Sequence, residues 1–319
     1  MNFKPILIVA GEPNSIFFEI FLKTFKNNTF KSPIILIASK KILEKQIVYF
    51  KYKIKIEELD IKKEIKKINS NVINLVNVEY DQDKIFDKIS KKSNTYIKKS
   101  FEIALDILKK KITNKFINGP ISKKSFLKKN YLGITEYLAK KTNSKNVAMI
   151  IYNKSLSVSP LTTHLPVKQI TKKITKLEII NKVKIIDLFW RKFFKKKPKI
   201  AITGLNPHCE TTDIFNEDER IIKPSIEFLK KNKYNIFGPF PADTIFLKNN
   251  RKKFDIVIGM YHDQVLTPVK TLFEYDAINI TAGLPFIRVS PDHGPNEQML
   301  GKNTSNHLSI LRSIQFLDF

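Results

Sequence analysis

Apolar and polar positions follow two rhythms along this chain. Short β-branched runs recur at Pro5–Ala10, Ile34–Ala38, Val72–Val76, Lys115–Asn118, Val147–Tyr152, Ser155–Ser159, Lys199–Thr203, Asp255–Gly259 and Ala277–Thr281. Each is flanked by polar or turn-forming residues and reads as a buried strand. Amphipathic stretches lie between them. Over Ser93–Ile112 the residues Ile97, Phe101, Ala104, Leu105, Leu108 and Ile112 share one helical stripe, with lysines opposite, and Lys176–Phe194 behaves the same way. Strands separated by helices predict an α/β fold with a largely parallel sheet. The lysine-rich segment Phe50–Lys67 is the most polar and reads as a surface excursion. No internal repeat and no long Gly/Ser linker interrupts the pattern. At 319 residues and 42% hydrophobic, the chain has room for two domains with cores of their own.

The charge is lopsided, with 57 basic residues against 30 acidic ones and a net charge of +27. Only Arg191, Arg220, Arg251, Arg288 and Arg312 are arginines; the rest of the basic residues are lysines spread along the whole chain. Nucleic-acid recognition leans on arginine forks and stacking aromatics, and neither is gathered in one place here. Lysine is abundant together with isoleucine, asparagine and phenylalanine, so the excess reads as compositional bias on solvated helix faces. No nucleic-acid partner is expected, although the positive field favours an anionic substrate. The single cysteine, Cys209, excludes a disulfide scaffold and suits a reducing compartment. No apolar run approaches the ~18 residues that span a bilayer, so no membrane partner is expected. The opening MNFKPILIVAGEPNS has only a short apolar run, and a cytoplasmic setting is expected.

Glycine is scarce, at nine residues, yet it recurs in polar strings: AGEPNS, NGPISKK, LGITEYLA, TGLNPHCE, GPFPADT, GMYHDQ and AGLPFIRVSPDHG. Such strings mark tight turns at strand ends, where open α/β sheets hold their ligands. Three of the five histidines sit in them or in similar turns: His164 in TTHLP, His208 in GLNPHCE and His262 in GMYHDQ. Three imidazoles from separate loops are enough to hold a divalent metal and leave positions open for substrate oxygens; single hydrogen-bonded histidines are the structural alternative. Asp243 in PADT could ligate metal, orient an imidazole, handle a proton or cap a helix. Lys270, Asn279 and Arg288 could cradle a phosphate through charge-assisted hydrogen bonds, and Arg288 is the more telling because arginine is rare here. Neither a G-x-G-x-x-G string nor a P-loop is present, which leaves SPDHGPNEQMLGKN as the candidate nucleotide loop.

These strings, in order from AGEPNSI through NGPISKKSF, GITEYLA, TTHLPV, GLNPHCE, GPFPADTIF and YHDQVLTPVK to NITAGLPFIRVSPDHG, resemble the 4-hydroxythreonine-4-phosphate dehydrogenase family of pyridoxal phosphate synthesis. The resemblance covers almost the whole chain. It implies a two-domain isocitrate/isopropylmalate dehydrogenase-like fold with mixed, largely parallel sheets. One domain would comprise residues 1–125 with 265–319 and carry the cofactor loop. The other, 126–264, would carry metal ligands and the dimer interface. It also implies a homodimer with the active site at the subunit interface. The cofactors implied are NAD, with NADP as the alternative, and one divalent metal of undetermined identity (Zn, Co, Mg or Mn).

By the same resemblance, His164, His208 and His262 bind the metal, the ligands coming from both subunits. Thr135, Lys270, Asn279 and Arg288 contact substrate, and Asp243 and Lys270 are the catalytic candidates. Asp292, His293 and Gly294 belong to the cofactor loop. The implied reaction is NAD-dependent oxidation and decarboxylation of 4-hydroxythreonine 4-phosphate to 3-amino-2-oxopropyl phosphate.

The chain departs from the family pattern in four places. A substrate-contacting histidine is replaced by Ile134, and the glycine-rich run after Asn-Pro-His by Cys209-Glu210-Thr211-Thr212-Asp213. Asn14-Ser15-Ile16-Phe17 stands for Ala-Gly-Ile-Gly, and Pro295-Asn296 for a Thr-Ala pair. Two other readings therefore stand beside the first: a related dehydrogenase of a threonate or erythronate phosphate, and a non-catalytic metal- or nucleic-acid-binding protein on the same scaffold.

Overall fold

A computed structural model describes residues 3–61, 68–127, 131 and 133–319. The chain begins with β1 (Ile6–Val9), α1 (Phe17–Asn27), β2 (Ile34–Ala38), α2 (Lys40–Tyr49), β3 (Ile56–Glu58), β4 (Ile73–Asn77), α3 (Ser93–Lys109) and β5 (Lys115–Asn118). It continues with α4 (Ile134–Lys141), β6 (Ala148–Asn153), β7 (Leu156–Thr162), α5 (Lys176–Phe194), β8 (Ile200–Thr203), α6 (Lys223–Lys231) and β9 (Ile236–Phe240). The remaining elements are α7 (Ala242–Ile245), α8 (Lys248–Arg251), β10 (Ile256–Tyr261), α9 (His262–Phe273), β11 (Ile278–Ala282), β12 (Ile287–Pro291) and α10 (Leu308–Leu317). The chain divides into two units, Met1–Tyr137 with Pro285–Phe319, and Leu138–Leu284.

In the first unit the strands lie in the order β3-β4-β2-β1-β5-β12, and every pair is parallel. Strands covered on both faces must be apolar throughout, which is why Ile6–Val9 and Ile34–Ala38 read as unbroken buried runs. Phe17, Phe18, Ile20 and Phe21 of α1 bury the core side of that helix, with the Phe17 and Phe21 rings stacked at 5.7 Å. Helix α3 buries Ile97, Phe101, Ala104 and Leu108 as the periodicity predicts, together with Tyr96 and Ile107. It ends at Lys109, before Ile112. Lys111 takes a left-handed φ of 59° and its N–H donates to the Leu108 carbonyl at 3.1 Å, turning the chain into β5.

In the second unit the order is β11-β6-β7-β10-β8-β9. Here β6 runs antiparallel to β7 and β11, while β7, β10, β8 and β9 are mutually parallel. Met149, Ile151, Val158, Ala201, Val257 and Val265 lie in its core. Helix α5 starts at Thr175, whose hydroxyl accepts from the Glu178 N–H at 3.2 Å, and stops at Lys195 in the left-handed region.

All nine expected strands are present, with ends shifted by three residues or fewer. Three further strands escaped the pattern for distinct reasons. β3 is short and polar at the sheet edge, so part of the expected surface excursion pairs with β4; residues 62–67 of that segment lie outside the described residues. β9 contains Gly238-Pro239, and β12 carries a buried arginine in place of an aliphatic residue. Both punctuation and charge mask strand periodicity.

At the centre of the first unit two backbones meet without side chains between them. A Cβ on Gly119 would stand 2.1 Å from the Ala10 carbonyl oxygen, and one on Gly11 would stand 2.3 Å from that of Pro120. Gly119→Ala therefore has to push two strand ends apart. It should cost about 1–3 kcal/mol, read as a lower urea midpoint at an unchanged slope; an unchanged midpoint would show that the loops yield freely.

Candidate active site

Parallel pairing lines up strand C-termini, and in the second unit this ordering builds a site. Tyr261 of β10 is level with Thr162 of β7, and the Thr162 hydroxyl donates to the Met260 carbonyl at 2.8 Å. His262 follows Tyr261 as the first residue of α9, and His164 lies two residues past Thr162. Their ring centroids are 5.9 Å apart. On the other side of β10, β8 ends at Thr203 and its outgoing loop carries His208; next to it β9 ends level with Thr203, and Asp243 follows in α7. Successive strand ends thus present His164, His262, His208 and Asp243, with neighbouring strands about 4.8 Å apart.

The residue chemistry fits a cation. His262 Nδ1 lies 2.6 Å from Asp263 Oδ1, and a carboxylate on one ring nitrogen orients the other toward a metal. Asp243 is exposed and sits inside α7, whose N-cap is Pro241, so the capping role does not apply. Among the described residues, no three His, Cys, Asp or Glu side chains converge on one point within a single copy of the chain. His208 and Cys209 both adopt left-handed φ values, 57° and 63°, where the family pattern supplies glycines only after the histidine. The Cys209 N–H donates to the Asn206 carbonyl at 3.0 Å, and burial pushes the Cys209 thiol up, keeping it protonated.

Lys270 stands two helical turns beyond His262 on α9, roughly 12 Å along the axis, and so away from that edge within one copy. Asn279 occupies the second position of β11, level with Ile151 of β6. Its Oδ1 is buried and has no hydrogen-bond partner among the described residues.

In the first unit Arg288, on β12, is 1% exposed. Its Nε donates to Asn118 Oδ1 at 2.7 Å, while Asn118 Nδ2 donates to the Gly119 carbonyl at 3.0 Å. Burial pulls the guanidinium down to about 9 and the charge of Glu136 opposes the shift, so Arg288 remains cationic at neutral pH. A buried cation with that balance favours an anion beside it. Thr135 is half-buried in the first turn of α4, between Ile134 and Glu136.

The strand order of this unit reverses at β1 and β5, since β2 lies on one side of β1 and β5 on the other. Ligands of open α/β sheets bind at such reversals, outside the strand C-termini. AGEPNS and NGPISKK leave the sheet there. Asn14 and Ser15, the departures in the first string, are absorbed into a buried polar network. Asn14 pairs with Gln82 through two bonds of 2.8 and 3.0 Å, and its Oδ1 also accepts from the Asp87 N–H. Glu12 accepts from the Ser93 hydroxyl at 2.7 Å and the Asn14 N–H at 3.2 Å. The loop after β12 joins the same edge, its Pro295 carbonyl accepting from the Ile16 N–H at 3.1 Å. In that loop the Asp292 N–H is held by Ser309 Oγ at 2.8 Å, and His293 Nδ1 lies 2.9 Å from the Gly294 carbonyl. A Cβ on Gly294 would meet nothing within 4 Å.

Several polar anchors had no distinct signal in the chain. Asn118 and Gln264 sit inside strings already singled out, but nothing local marks them as hydrogen-bond hubs. Asp218 opens the short π-helical turn Asp218–Ile222 and Gln82 lies in a polar loop, with nothing local to mark either. Glu136 is adjacent to Thr135 and gains meaning only because β12 brings Arg288 near.

Strand order and parallel edges define an α/β scaffold shared with the isocitrate dehydrogenase of Methylococcus capsulatus, at a TM-score of 0.51 and 9% identity over 98% of this chain and 84% of that one. The chain belongs to the PdxA family: the model of the pyridoxal phosphate biosynthetic protein PdxA matches residues 29–317. A relative from Sulfurihydrogenibium sp. (strain YO3AOP1), a 4-hydroxythreonine-4-phosphate dehydrogenase, is 41% identical over 97% of this chain and 96% of its own length. The crystal structure of a 4-hydroxythreonine-4-phosphate dehydrogenase from Klebsiella pneumoniae superposes with a TM-score of 0.85 at 26% identity, covering 98% of each chain. A D-threonate 4-phosphate dehydrogenase from Pectobacterium atrosepticum is 37% identical over 58% of this chain and 57% of its own.

Burial lifts the Glu12 carboxyl above its ordinary value, against the lowering by its Ser93 and Asn14 hydrogen bonds. A carboxyl raised in the folded state holds its proton more tightly there, so it costs stability as pH rises through the raised value. Glu12→Gln removes the charge and lets the Ser93 hydroxyl turn to accept. The variant should have the higher urea midpoint at pH 8, with the gap closing below the ordinary carboxylate range; a gap that widens on acidification would contradict this.

Proposed function

We propose that this protein oxidises and decarboxylates 4-hydroxythreonine 4-phosphate to 3-amino-2-oxopropyl phosphate, using NAD and one divalent metal. The observation that carries this reading is the succession of His164, His262, His208 and Asp243 on neighbouring parallel strand ends, in a chain of the PdxA family. A divalent cation held by the three imidazoles would polarise the substrate's alcohol and carbonyl oxygens. Asp292, His293 and Gly294 would hold the nicotinamide cofactor, which would supply hydride acceptance for the oxidation.

This chain's own side chains supply binding and proton transfer. Asp263 engages His262 Nδ1, which leaves Nε2 to a cation. Arg288, held at Nε by Asn118, is read as a contact to the anionic end of the substrate, and Lys270 and Asn279 are read as substrate contacts of the second unit. Grip on a remote phosphate positions the reacting carbon and so contributes to rate as well as affinity. The Thr135 hydroxyl contacts substrate, and Asp243 and Lys270 move the alcohol and product protons.

The reading requires a homodimer, because the three imidazoles are not gathered within one copy. Exposed apolar side chains of the second unit support it, among them Leu177 and Leu188 on α5, Phe215, Leu247 and, at 95% exposure, Ile214. A reducing cytoplasm suits the one cysteine, a buried free thiol. No helix among the described residues is long and apolar enough to cross a membrane.

Ile134 favours a second reading, a threonate phosphate as substrate, because an aliphatic side chain offers no hydrogen bond where the family histidine contacts substrate. The test is NADH formation by the metal-loaded protein on 4-hydroxythreonine 4-phosphate and on threonate and erythronate 4-phosphates. The first should be turned over with the highest kcat/KM, and chelator should stop the reaction. Faster turnover of threonate 4-phosphate would favour the second reading, and no turnover of any would overturn both. His208→Ala should abolish activity and weaken metal binding while the dimer persists in sedimentation. Ile134→His should lower KM for 4-hydroxythreonine 4-phosphate about tenfold, the worth of one restored charge-assisted hydrogen bond; a higher KM would show a pocket refitted around isoleucine.

A further inference from the structure

The two strand ends that carry His262 and His208 are joined by one side chain. Gln264, in the first turn of α9, accepts at Oε1 from the Met260 N–H at 2.7 Å and from the Thr203 hydroxyl at 2.8 Å. Its Nε2 donates to the Gly204 carbonyl at 2.8 Å. Met260 is the penultimate residue of β10, two before His262; Thr203 ends β8, and Gly204 begins the loop to His208. A single amide therefore ties the exit of β10 to the exit of β8 by three bonds of ordinary length.

Beyond Gly204 the loop has a second anchor. The fully buried Asp218 carboxylate accepts from the Leu205 N–H at 2.9 Å, the Asn206 N–H at 3.1 Å and Asn206 Nδ2 at 2.9 Å. Gly204 is pressed between these parts, since a Cβ there would stand 2.5 Å from Asp218 Oδ1 and 2.6 Å from Cys209 Sγ. The loop then enters the left-handed pair His208-Cys209, a conformation disfavoured for non-glycine residues that persists only where surroundings hold it.

We propose that Gln264 is a positioning residue of the metal site: it fixes where the His208 loop leaves the sheet relative to His262, with Asp218 holding the loop beyond that joint. The assignment rests on the metal-assisted reading above. The amide is specific to the task. It offers one acceptor to two donors and one donor to a carbonyl, a pattern that a carboxylate reverses at Gly204 and a thioether lacks altogether.

The test uses the 319-residue protein, cobalt(II) chloride as probe, and the variants Gln264→Met and Gln264→Glu. Wild type should bind cobalt with a visible absorption spectrum of imidazole-ligated metal. Gln264→Met, close in size to glutamine, should keep the dimer and the thermal midpoint within a few degrees. It should bind cobalt at least tenfold more weakly, with a changed spectrum, and Gln264→Glu should be weaker still. In a His208→Ala background the Gln264→Met change should have no further effect on cobalt affinity, because its influence passes through that loop. A folded Gln264→Met dimer with wild-type affinity and spectrum would overturn the assignment while leaving the metal-assisted reading intact. Wild-type protein without specific cobalt binding would overturn that reading and this assignment with it. If Gln264→Glu fails to fold, Gln264→Met and the double variant decide the matter alone.

Discussion

Parallel strand pairing is the constraint on which the rest of this protein depends. In a parallel sheet every strand points the same way, so all outgoing loops collect on one edge and neighbouring loops are separated by one strand spacing. In the second unit that spacing turns residues nearly a hundred positions apart into neighbours, with His164 following β7 and His262 following β10. In the first unit it brings AGEPNS, NGPISKK and SPDHG to a common edge. Neither arrangement needs long-range attraction between the functional groups themselves. Backbone hydrogen bonds and buried aliphatic faces place the loops, and the loops carry the chemistry.

Burial then tunes what the loops present. Arg288 lies within a strand that periodicity would fill with an aliphatic residue, and its presence costs desolvation that Asn118 and Glu136 only partly offset. Glu12 shows the opposite balance: its hydrogen bonds to Ser93 and Asn14 hold it in place, yet burial still disfavours its charge. In both cases a neutral hydrogen-bond partner fixes direction while the surroundings set the energy of ionisation.

The departures from the family pattern are distributed unevenly over these structures. Asn14 and Ser15 gain partners of their own and stiffen the edge at which strand order reverses. Cys209 takes up a left-handed conformation with its thiol buried, beside an aspartate that holds the preceding turn. Pro295 still offers its carbonyl to Ile16. Ile134 is half-buried at the start of α4, beside Thr135.

Much was legible in the chain itself. Nine strands, the stripes of α3 and α5 and the turn-bound histidines all arise from interactions within a few residues, and such interactions leave a periodic or compositional trace. What needed the tertiary structure was lateral: which strand lies beside which, that Arg288 is buried against Asn118, that β9 and β12 are strands despite proline and charge, and that Gln264 spans two strand ends. Side chains that work across strands carry no local period, because their partners are set by sheet order and not by sequence distance. An amide in the string HDQ is one polar residue among many until β8 comes to lie next to β10.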